Sequence, residues 1–461
     1  MESSTTNRYC ILGAGTSGLA VLKNFLQRGI PCDCLEREDA IGGNWCYGKP
    51  ASSVYASTHL ISSKRLTEYT DFPLPEDYPE FPDHRLVFQY LQNYARHFGL
   101  LEHIQFNTTV ERIESISESP SPVVRGGGNP ESRNGINPPL APPGVPGGGF
   151  LVKLGGGEER LYRGVVIANG HNWDPQFPEY PGEFTGTVLH SCQYKTPDVL
   201  AGKRVLVVGG GNSGCDLAVE AATHAARAFH SMRRGYPILP KFFRGKPIDA
   251  CGETLLRWRL PIAVRRLAAK WVSHWVFGPP ELSGLPRPDH RLFESHPIIN
   301  SSLHDQVAHG NLTLKPDVQE LAGDRVRFVD GSTEQVDVIL YATGFKVSFP
   351  FLDPAHLNWR DGRPDLYLNI FHPDRDDLFC AGLIQPDSGQ WGLVDYQAQL
   401  IANYLMSLEN QSPAATHFQR LKQANNRSWR RGKFLDTPRH RLEVEHFSYR
   451  RELQKRLAGL G

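Results

Sequence analysis

Two stretches of the chain repeat the same order of apolar and polar positions. In "RYCILGAGTSGLAVLKNFLQRGIPCDCLERE", a short apolar run is followed by a glycine turn, apolar residues at helical spacing and a second apolar run. The stretch "KRVLVVGGGNSGCDLAVEAATHAARAFHSMRR", Lys203 to Arg234, repeats that order. The order predicts a strand, a helix and a second strand in each stretch. We call these stretches the first and the second βαβ unit.

Both units turn on glycines at the spacing G-x-G-x-x-G. The first glycine permits a tight turn, the second lets backbone approach a diphosphate, and the third lets the helix pack on the strand. Each turn also places an anion at a helix N-terminus, where free N–H groups and the helix dipole favour it. The glycines are Gly13, Gly15 and Gly18 in the first unit and Gly209, Gly211 and Gly214 in the second. Because a strand precedes and a helix follows each turn, we predict two dinucleotide sites.

The ends of the second strands distinguish the two nucleotides. Glu36 lies 18 residues beyond Gly18 and is placed to accept hydrogen bonds from the ribose hydroxyls of FAD or NAD. The second unit has no acidic residue at that place and offers Arg233 and Arg234, whose guanidinium groups can bind a 2′-phosphate. A solvated basic loop end is the alternative explanation for the two arginines. We predict FAD at the first unit and NADPH at the second.

Length and composition restrict the class of protein. The chain has 461 residues, enough for two or three domains, and its net charge of +1 disfavours a nucleic-acid partner. The N-terminus lacks the features of a secretory signal, and no apolar run approaches about 18 residues, so we expect a cytoplasmic protein without an integral membrane segment. The eight cysteines form no CxxC pair and no metal-like cluster, so no metal site is predicted.

Further motifs resemble those of the flavin-containing monooxygenases. "GAGTSGL", "GGNW", "FTGTVLHSCQY", "GGGNSGCDLA", "YATGF", "FPFL" and "AGLIQP" occur in the order seen in that family, over most of the chain. The family's identifying motif matches Phe184, Gly186, His190 and Tyr194, which we interpret as a structural connector between two nucleotide domains. The resemblance also assigns Ser17, Asn44, Trp45 and Gln385 to FAD, and Asn212 and Ser213 to NADP.

The resemblance implies an α/β architecture with two dinucleotide-binding, Rossmann-like domains, in which a smaller NADP domain interrupts the FAD domain. We divide the chain accordingly into 1–175 (FAD domain, first part), 176–330 (NADP domain) and 331–461 (FAD domain, second part, with the C-terminal segment). A Pro- and Gly-rich stretch at 118–149 is predicted to be a flexible insertion. The stretch "PIAVRRLAAKWVSHWVFGPP" predicts an inserted helix that caps the NADP domain, with a membrane-surface helix as the alternative.

The resemblance also implies a reaction. NADPH reduces FAD, the reduced flavin forms a C4a-hydroperoxide with O2, and one oxygen atom passes to a soft nitrogen or sulfur of a small molecule. Tyr194 followed by Lys195 favours heteroatom oxygenation, since the related Baeyer–Villiger enzymes usually carry Trp-Pro or Trp-Asp there. Many family members have asparagine where this chain has Ile61, ahead of Ser62, and we place both residues at the catalytic site. Because an isoleucine side chain cannot hydrogen-bond, we expect substantial uncoupled oxidation of NADPH unless His59 or a backbone group substitutes.

Other functions stay open at this point. Baeyer–Villiger oxygenation of a ketone, strongly uncoupled oxidation of NADPH, and non-catalytic nucleotide binding by a redox sensor are each compatible with two nucleotide sites. A pyridine nucleotide–disulfide reductase is disfavoured, because the chain has no CxxC pair to receive a hydride. A homodimer is also left open.

Overall fold

The computed structural model describes residues 7–116, 148–257, 262–292, 294–424, 434 and 440–461, apart from the side chains of 254–257, 262–263 and 282–283. The insertion predicted at 118–149 lies outside these residues, except for its last two glycines. Within the described ranges the α-helices are Thr16–Gln27, Lys64–Thr67, His84–His97, Asn212–His224, Ile248–Arg257, Ile262–Phe277, Leu303–Ala308, Trp391–Glu409, Pro413–Ala424 and His446–Ala458.

The first βαβ unit builds a parallel five-stranded sheet. Its strands follow the order Leu378–Cys380, Gly164–Ile167, Tyr9–Leu12, Cys32–Leu35 and Ile104–Gln105. Alternate residues of the central strand are buried on opposite faces: Tyr9 and Ile11 pack with the helices, and Cys10 and Leu12 pack with an antiparallel sheet. Burial on both faces explains why this strand is apolar throughout.

The second βαβ unit builds a second parallel five-stranded sheet of the same kind. Its strands follow the order Thr187–His190, Val338–Tyr341, Arg204–Val208, Arg227–Ser231 and Leu312–Lys315. Val205 and Val207 face the helix side, whereas Leu206 and Val208 face a small mixed sheet. The two sheets confirm the predicted α/β fold with two Rossmann-like domains.

The second domain extends past its predicted end at residue 330. Val338–Tyr341 pairs in parallel with Arg204–Val208 and with Thr187–His190, so it lies inside the second sheet. The return to the first domain comes just afterwards, where Phe345–Lys346 pairs in antiparallel register with Asp174–Pro175. The two connections between the domains therefore run side by side.

Smaller sheets cover the outer faces. Three antiparallel strands lie beside the first sheet: Val110–Ile116, Gly149–Leu154 and Glu159–Tyr162. A four-stranded sheet covers the second: Gly182–Phe184, Val318–Gly323, Arg325–Phe328 and Thr333–Gln335. The structure also has two-stranded sheets in addition to the pair at the domain connection. They are Ile238–Leu239 with Ile298–Ile299, Phe242–Phe243 with Lys246–Pro247, Trp359–Arg360 with Arg363–Pro364, and Gln385–Pro386 with Glu443–Val444.

The C-terminal segment closes the first domain. Glu443–Val444 pairs with Gln385–Pro386, and the helix His446–Ala458 packs against Trp391–Glu409. The segment 236–299 of the second domain carries the helices Ile248–Arg257 and Ile262–Phe277, which we call the inserted segment. In the parts of the chain that the structure describes, no helix has the length and apolar character needed to cross a bilayer.

Candidate functional site

A cavity of about 620 Å³ opens at the carboxyl edge of the first sheet. Four of its strands lead directly into the lining: Gly13 follows Tyr9–Leu12, Glu36 follows Cys32–Leu35, Ala168 follows Gly164–Ile167, and Gly382 follows Leu378–Cys380. Ligands of open parallel sheets bind at this edge, because the loops that leave the strands diverge there. The cavity is therefore the candidate cofactor site.

The first glycine turn has the geometry of a diphosphate cradle. Gly13 has φ of +95°, which favours glycine, and a Cβ added at Gly18 would lie 1.7 Å from the carbonyl oxygen of Gly13. The helix Thr16–Gln27 begins after Gly15 without a side-chain cap, so its first N–H groups remain available at the cavity that Gly15 lines. Backbone of this shape fits the diphosphate of a dinucleotide.

Glu36 is fixed at the rim of this cradle. Its Oε2 accepts a hydrogen bond from the Ala14 N–H at 2.6 Å, and its Oε1 accepts one from the Glu38 N–H at 2.9 Å. Burial raises the pKa of Glu36, and these two hydrogen bonds oppose that rise. Each carboxylate oxygen keeps a further lone pair for a ribose hydroxyl, as the sequence predicts.

The other residues assigned to FAD also line this cavity. Asn44 accepts hydrogen bonds at Oδ1 from the backbone N–H and the hydroxyl of Ser53, at 2.6 and 2.9 Å, which fixes its side chain. Trp45 packs edge-to-face against Trp391, with ring centroids 6.0 Å apart. The structure thus gathers the following residues at one site: Gly13, Gly15, Ser17, Glu36, Asn44, Trp45 and Gln385.

The loop with the unusual isoleucine forms another part of the same wall. Ile61 and Ser62 both line the cavity, and the Ser62 hydroxyl lies 2.8 Å from the hydroxyl of Thr67. His59 lines it as well, and its Nδ1 donates to the Ser57 carbonyl at 2.7 Å. That bond leaves the other ring nitrogen of a neutral His59 as an acceptor. A buried Lys64 holds the far end of the loop through three backbone carbonyls.

The second glycine turn repeats the geometry of the first. Gly209 has φ of +127°, and a Cβ at Gly214 would lie 1.9 Å from its carbonyl oxygen. Gly211 precedes the helix Asn212–His224, which also lacks a side-chain cap. This turn therefore fits a second diphosphate.

The two polar residues assigned to NADP differ in their contacts. The Asn212 amide donates to the Pro297 carbonyl at 3.1 Å and accepts from the Ile299 N–H at 2.9 Å, so it braces the inserted segment against the glycine turn. Ser213 is exposed at the start of the helix. Ser213 is therefore free to contact a nucleotide directly, whereas the side chain of Asn212 is already hydrogen-bonded to other residues of the protein.

The two predicted phosphate-binding arginines follow the strand Arg227–Ser231. Arg233 is exposed, whereas Arg234 Nη1 lies 3.6 Å from Asp289 Oδ2 of the inserted segment. Arg233 is thus the more available of the two for a 2′-phosphate.

The motif at Phe184 to Tyr194 lies at the junction of the domains. A Cβ at Gly186 would lie 2.5 Å from the backbone oxygen of Asp337 and 2.6 Å from the Phe184 ring, so this position favours glycine. His190 is fully buried, donates from Nε2 to the Gly344 carbonyl at 3.1 Å and accepts at Nδ1 from the Cys192 N–H at 3.3 Å. Burial lowers the pKa of His190, which favours the neutral ring.

The end of this motif reaches the first domain. The Tyr194 ring packs edge-to-face on Tyr55, with centroids 5.6 Å apart, and burial raises the pKa of its hydroxyl. The next residue, Lys195, donates to the carbonyls of Ser52 and Val54 at 2.6 and 3.2 Å. These contacts support the interpretation of the motif as a connector.

The motifs in the sequence do not include every part of the cavity wall. His171 and Trp173 line it and follow the strand Gly164–Ile167, a position that the carboxyl-edge rule could have indicated. Gln390 and Trp391 also line it, and the Gln390 amide holds the turn before them by donating to the carbonyls of Gly382 and Ile384. No motif marks these two residues.

Comparisons with known proteins agree with this geometry. The chain matches the family model for flavin-binding monooxygenase-like proteins over residues 6–123 and 153–459. It is 32% identical over 420 residues to dimethylaniline monooxygenase [N-oxide-forming] 2 from Pan troglodytes, covering 87% of this chain and 74% of the relative.

Two solved structures share the fold. S-allyl-L-cysteine S-oxygenase from Allium sativum is 20% identical with a TM-score of 0.64, over 99% of this chain and 90% of that one. An oxidized steroid monooxygenase bound to NADP is 17% identical with a TM-score of 0.66, over 98% of this chain and 97% of that one.

Proposed function

The chain belongs to the flavin-binding monooxygenase-like family, and from that premise we propose that it uses FAD, NADPH and O2 to transfer one oxygen atom to a soft nitrogen or sulfur of a small molecule. One observation carries the proposal. A single cavity brings together the first glycine turn, Glu36 and the loop with Ile61 and Ser62. The cofactor cradle and the wall assigned to oxygen transfer are therefore parts of one site.

The residues of the first domain fit FAD. The free N–H groups at the start of Thr16–Gln27 bind its diphosphate, and Glu36 accepts hydrogen bonds from its ribose. When bound there, FAD would supply the capacity to take up a hydride from NADPH and to activate O2. Trp45, Trp391 and Ile61 give the cavity apolar walls, which keep water from the reacting atoms.

The residues of the second domain fit NADPH. The turn at Gly209–Gly214 binds the diphosphate, and Arg233 binds the 2′-phosphate. His190 and Tyr194 are absent from the described lining of the cavity, and both make contacts at the junction of the domains. Their role is to fix the relative orientation of the two domains.

A heteroatom is the favoured oxygen acceptor. Tyr194 followed by Lys195 departs from the Baeyer–Villiger pattern, and the N-oxide-forming relative supports nitrogen as one acceptor. The solved structures do not decide the point, because at 17–20% identity they share only the fold. A cytoplasmic location remains a prediction from the sequence, and a homodimer remains an open possibility.

An oxygen-consumption screen tests the proposal. Purified protein is given NADPH with tertiary amines, thioethers, thiols, indoles or ketones, and products are identified by mass spectrometry. N-oxides or S-oxides are expected. Lactones or esters from ketones as the main products would favour the Baeyer–Villiger alternative, and an unbleached flavin under anaerobic NADPH would favour a non-catalytic binder.

A further inference from the structure

The cavity loop with Ile61 donates a hydrogen bond to the other domain. Asp249 Oδ2 accepts the backbone N–H of Ser63 at 2.7 Å, across a sequence separation of 186 residues. Ser63 directly follows Ile61 and Ser62, which line the cavity. Asp249 belongs to the helix Ile248–Arg257 of the inserted segment. A residue of the second domain therefore reaches the wall of the flavin cavity.

Asp249 is held in place from its own side. Its Oδ1 accepts the N–H of Ala250 at 2.9 Å in the first turn of the helix, a position that favours a carboxylate. Burial raises the pKa of Asp249, while the bonds from Ser63 and Ala250 oppose the rise. One oxygen thus faces the helix, and the other faces the cavity loop.

The first domain fixes the loop at its two ends. The Leu60 N–H donates to the Pro82 carbonyl at 3.0 Å, and the Lys64 N–H donates to the Glu80 carbonyl at 2.9 Å. Asp249 adds an anchor between these two points. Its position sets how far Ile61 and Ser62 project into the cavity, because a peptide N–H cannot move without its neighbours.

We propose that Asp249 is a positioning residue for oxygen transfer, which holds the Ile61–Ser63 loop against the cavity through the backbone N–H of Ser63. This inference rests on the proposed function. It links the placement of the inserted segment to the shape of the reaction site. A loop released by about an ångström admits water and loosens the substrate, so NADPH oxidation then ends more often in hydrogen peroxide.

The test compares Asp249→Ala with Asp249→Asn, whose single amide oxygen can accept the Ser63 N–H only by giving up the N–H of Ala250. Gly252→Ala, in the same helix and with no atom within 4 Å of the added Cβ, is the control for disturbance of the helix. For each FAD-loaded variant, the peroxide formed per NADPH, the rate of anaerobic flavin reduction and the amide hydrogen exchange of residues 60–67 are measured. If Asp249→Ala does not retain FAD, Asp249→Ser, which is too short to reach Ser63, takes its place.

We expect Asp249→Ala to raise the peroxide share about threefold to tenfold and to speed exchange in the loop, with flavin reduction unchanged within about twofold. Gly252→Ala should match the wild type, and Asp249→Asn should lie between the wild type and Asp249→Ala. Wild-type coupling and exchange in Asp249→Ala, or defects of the same size in Gly252→Ala, would overturn the inference. If the wild type forms no N- or S-oxide, the proposed function fails, and the exchange data still decide whether Asp249 positions the loop.

Discussion

The imidazole of His190 donates a hydrogen bond from Nε2 to the carbonyl oxygen of Gly344, at 3.1 Å. His190 ends the strand Thr187–His190, and Gly344 lies in the turn where the chain returns towards the first domain. The buried histidine therefore joins the outgoing and the returning connections between the two domains. The F-x-G-x-x-x-H-x-x-x-Y motif therefore has a structural role, which is to hold the two connections together.

Removal of this bond should weaken the fold and leave the chemistry in place. His190→Leu removes the imidazole donor from the Gly344 carbonyl, which keeps the Gln176 N–H at 3.0 Å, and removes the acceptor of the Cys192 N–H. The free energy of unfolding should fall by about 1–3 kcal/mol. The pH profile of kcat/KM should keep its shape, because burial already favours the neutral ring. Denaturant unfolding and pH–rate measurements check this, with the exposed His103→Leu as control. A large loss of kcat with unchanged stability would instead identify His190 as a catalytic group.

Substitutions in the two glycine turns should affect the two cofactors independently. Gly18→Ala places a Cβ against the Gly13 carbonyl and should yield protein without FAD, whereas Gly214→Ala, against Gly209, should retain FAD but not be reduced by NADPH. Flavin content and anaerobic bleaching measure the two effects. Gly252→Ala, with open space around its Cβ, should retain both. Loss of FAD in Gly214→Ala, or reduction at the normal rate, would refute the assignment of the turns.

Complete local signals explain why these sites can be predicted from the sequence. Each βαβ unit has its strand, glycine spacing and helix within about thirty residues, so nothing remote is needed to recognise it. The strand Val338–Tyr341 gives the opposite case, because four buried apolar residues do not indicate which of two parallel sheets they join. The hydrogen bond between Asp249 and Ser63 joins segments that are distant in the sequence, and no sequence motif predicts it.

Arg233 should contribute more to cofactor choice than Arg234, because Arg234 already lies near Asp289. Arg233→Ala should raise the KM for NADPH about 10- to 100-fold, as expected for the loss of hydrogen bonds to a charged phosphate, and should leave the KM for NADH unchanged. Arg234→Ala should have a smaller effect. Steady-state kinetics with both nucleotides measure the difference, and a parallel rise in both KM values would exclude recognition of the 2′-phosphate.

Ile61 should limit the coupling of NADPH oxidation to product formation. Ile61→Asn restores a hydrogen-bonding side chain at the cavity wall and should reduce the peroxide formed per NADPH severalfold. Ile61→Val keeps an apolar wall and serves as the control. Peroxide assays alongside product quantification decide the matter, and equal peroxide yields from Ile61→Asn and the wild type would show that His59 or a backbone group already compensates.

Asp387 should make the stability of the protein depend on pH. Burial and the charge of Glu445 raise the pKa of Asp387 to about 7, against the opposing effects of Arg265 and the His446 N–H. The folded state then holds a proton that the unfolded state releases, so this contribution is complete below about pH 4 and is lost as the pH rises through about 7.

Asp387→Asn removes that dependence. The Tm of the variant minus the Tm of the wild type should therefore increase from pH 5 to pH 8, with Tm measured at both values. Asp361→Asn, at an exposed site, should show no such change. Parallel Tm profiles of the wild type and Asp387→Asn would count against a protonated Asp387.

The central claim is that NADPH and O2 are used to place one oxygen atom on a soft heteroatom. The most direct measurement is the reaction of the FAD-loaded protein with NADPH and N,N-dimethylaniline or a methyl aryl sulfide under ¹⁸O₂, with the product analysed by mass spectrometry. We expect an N-oxide or sulfoxide that carries one ¹⁸O atom from O2. Oxidation of NADPH with hydrogen peroxide as the sole oxygen product, or label recovered only in esters formed from added ketones, would contradict it.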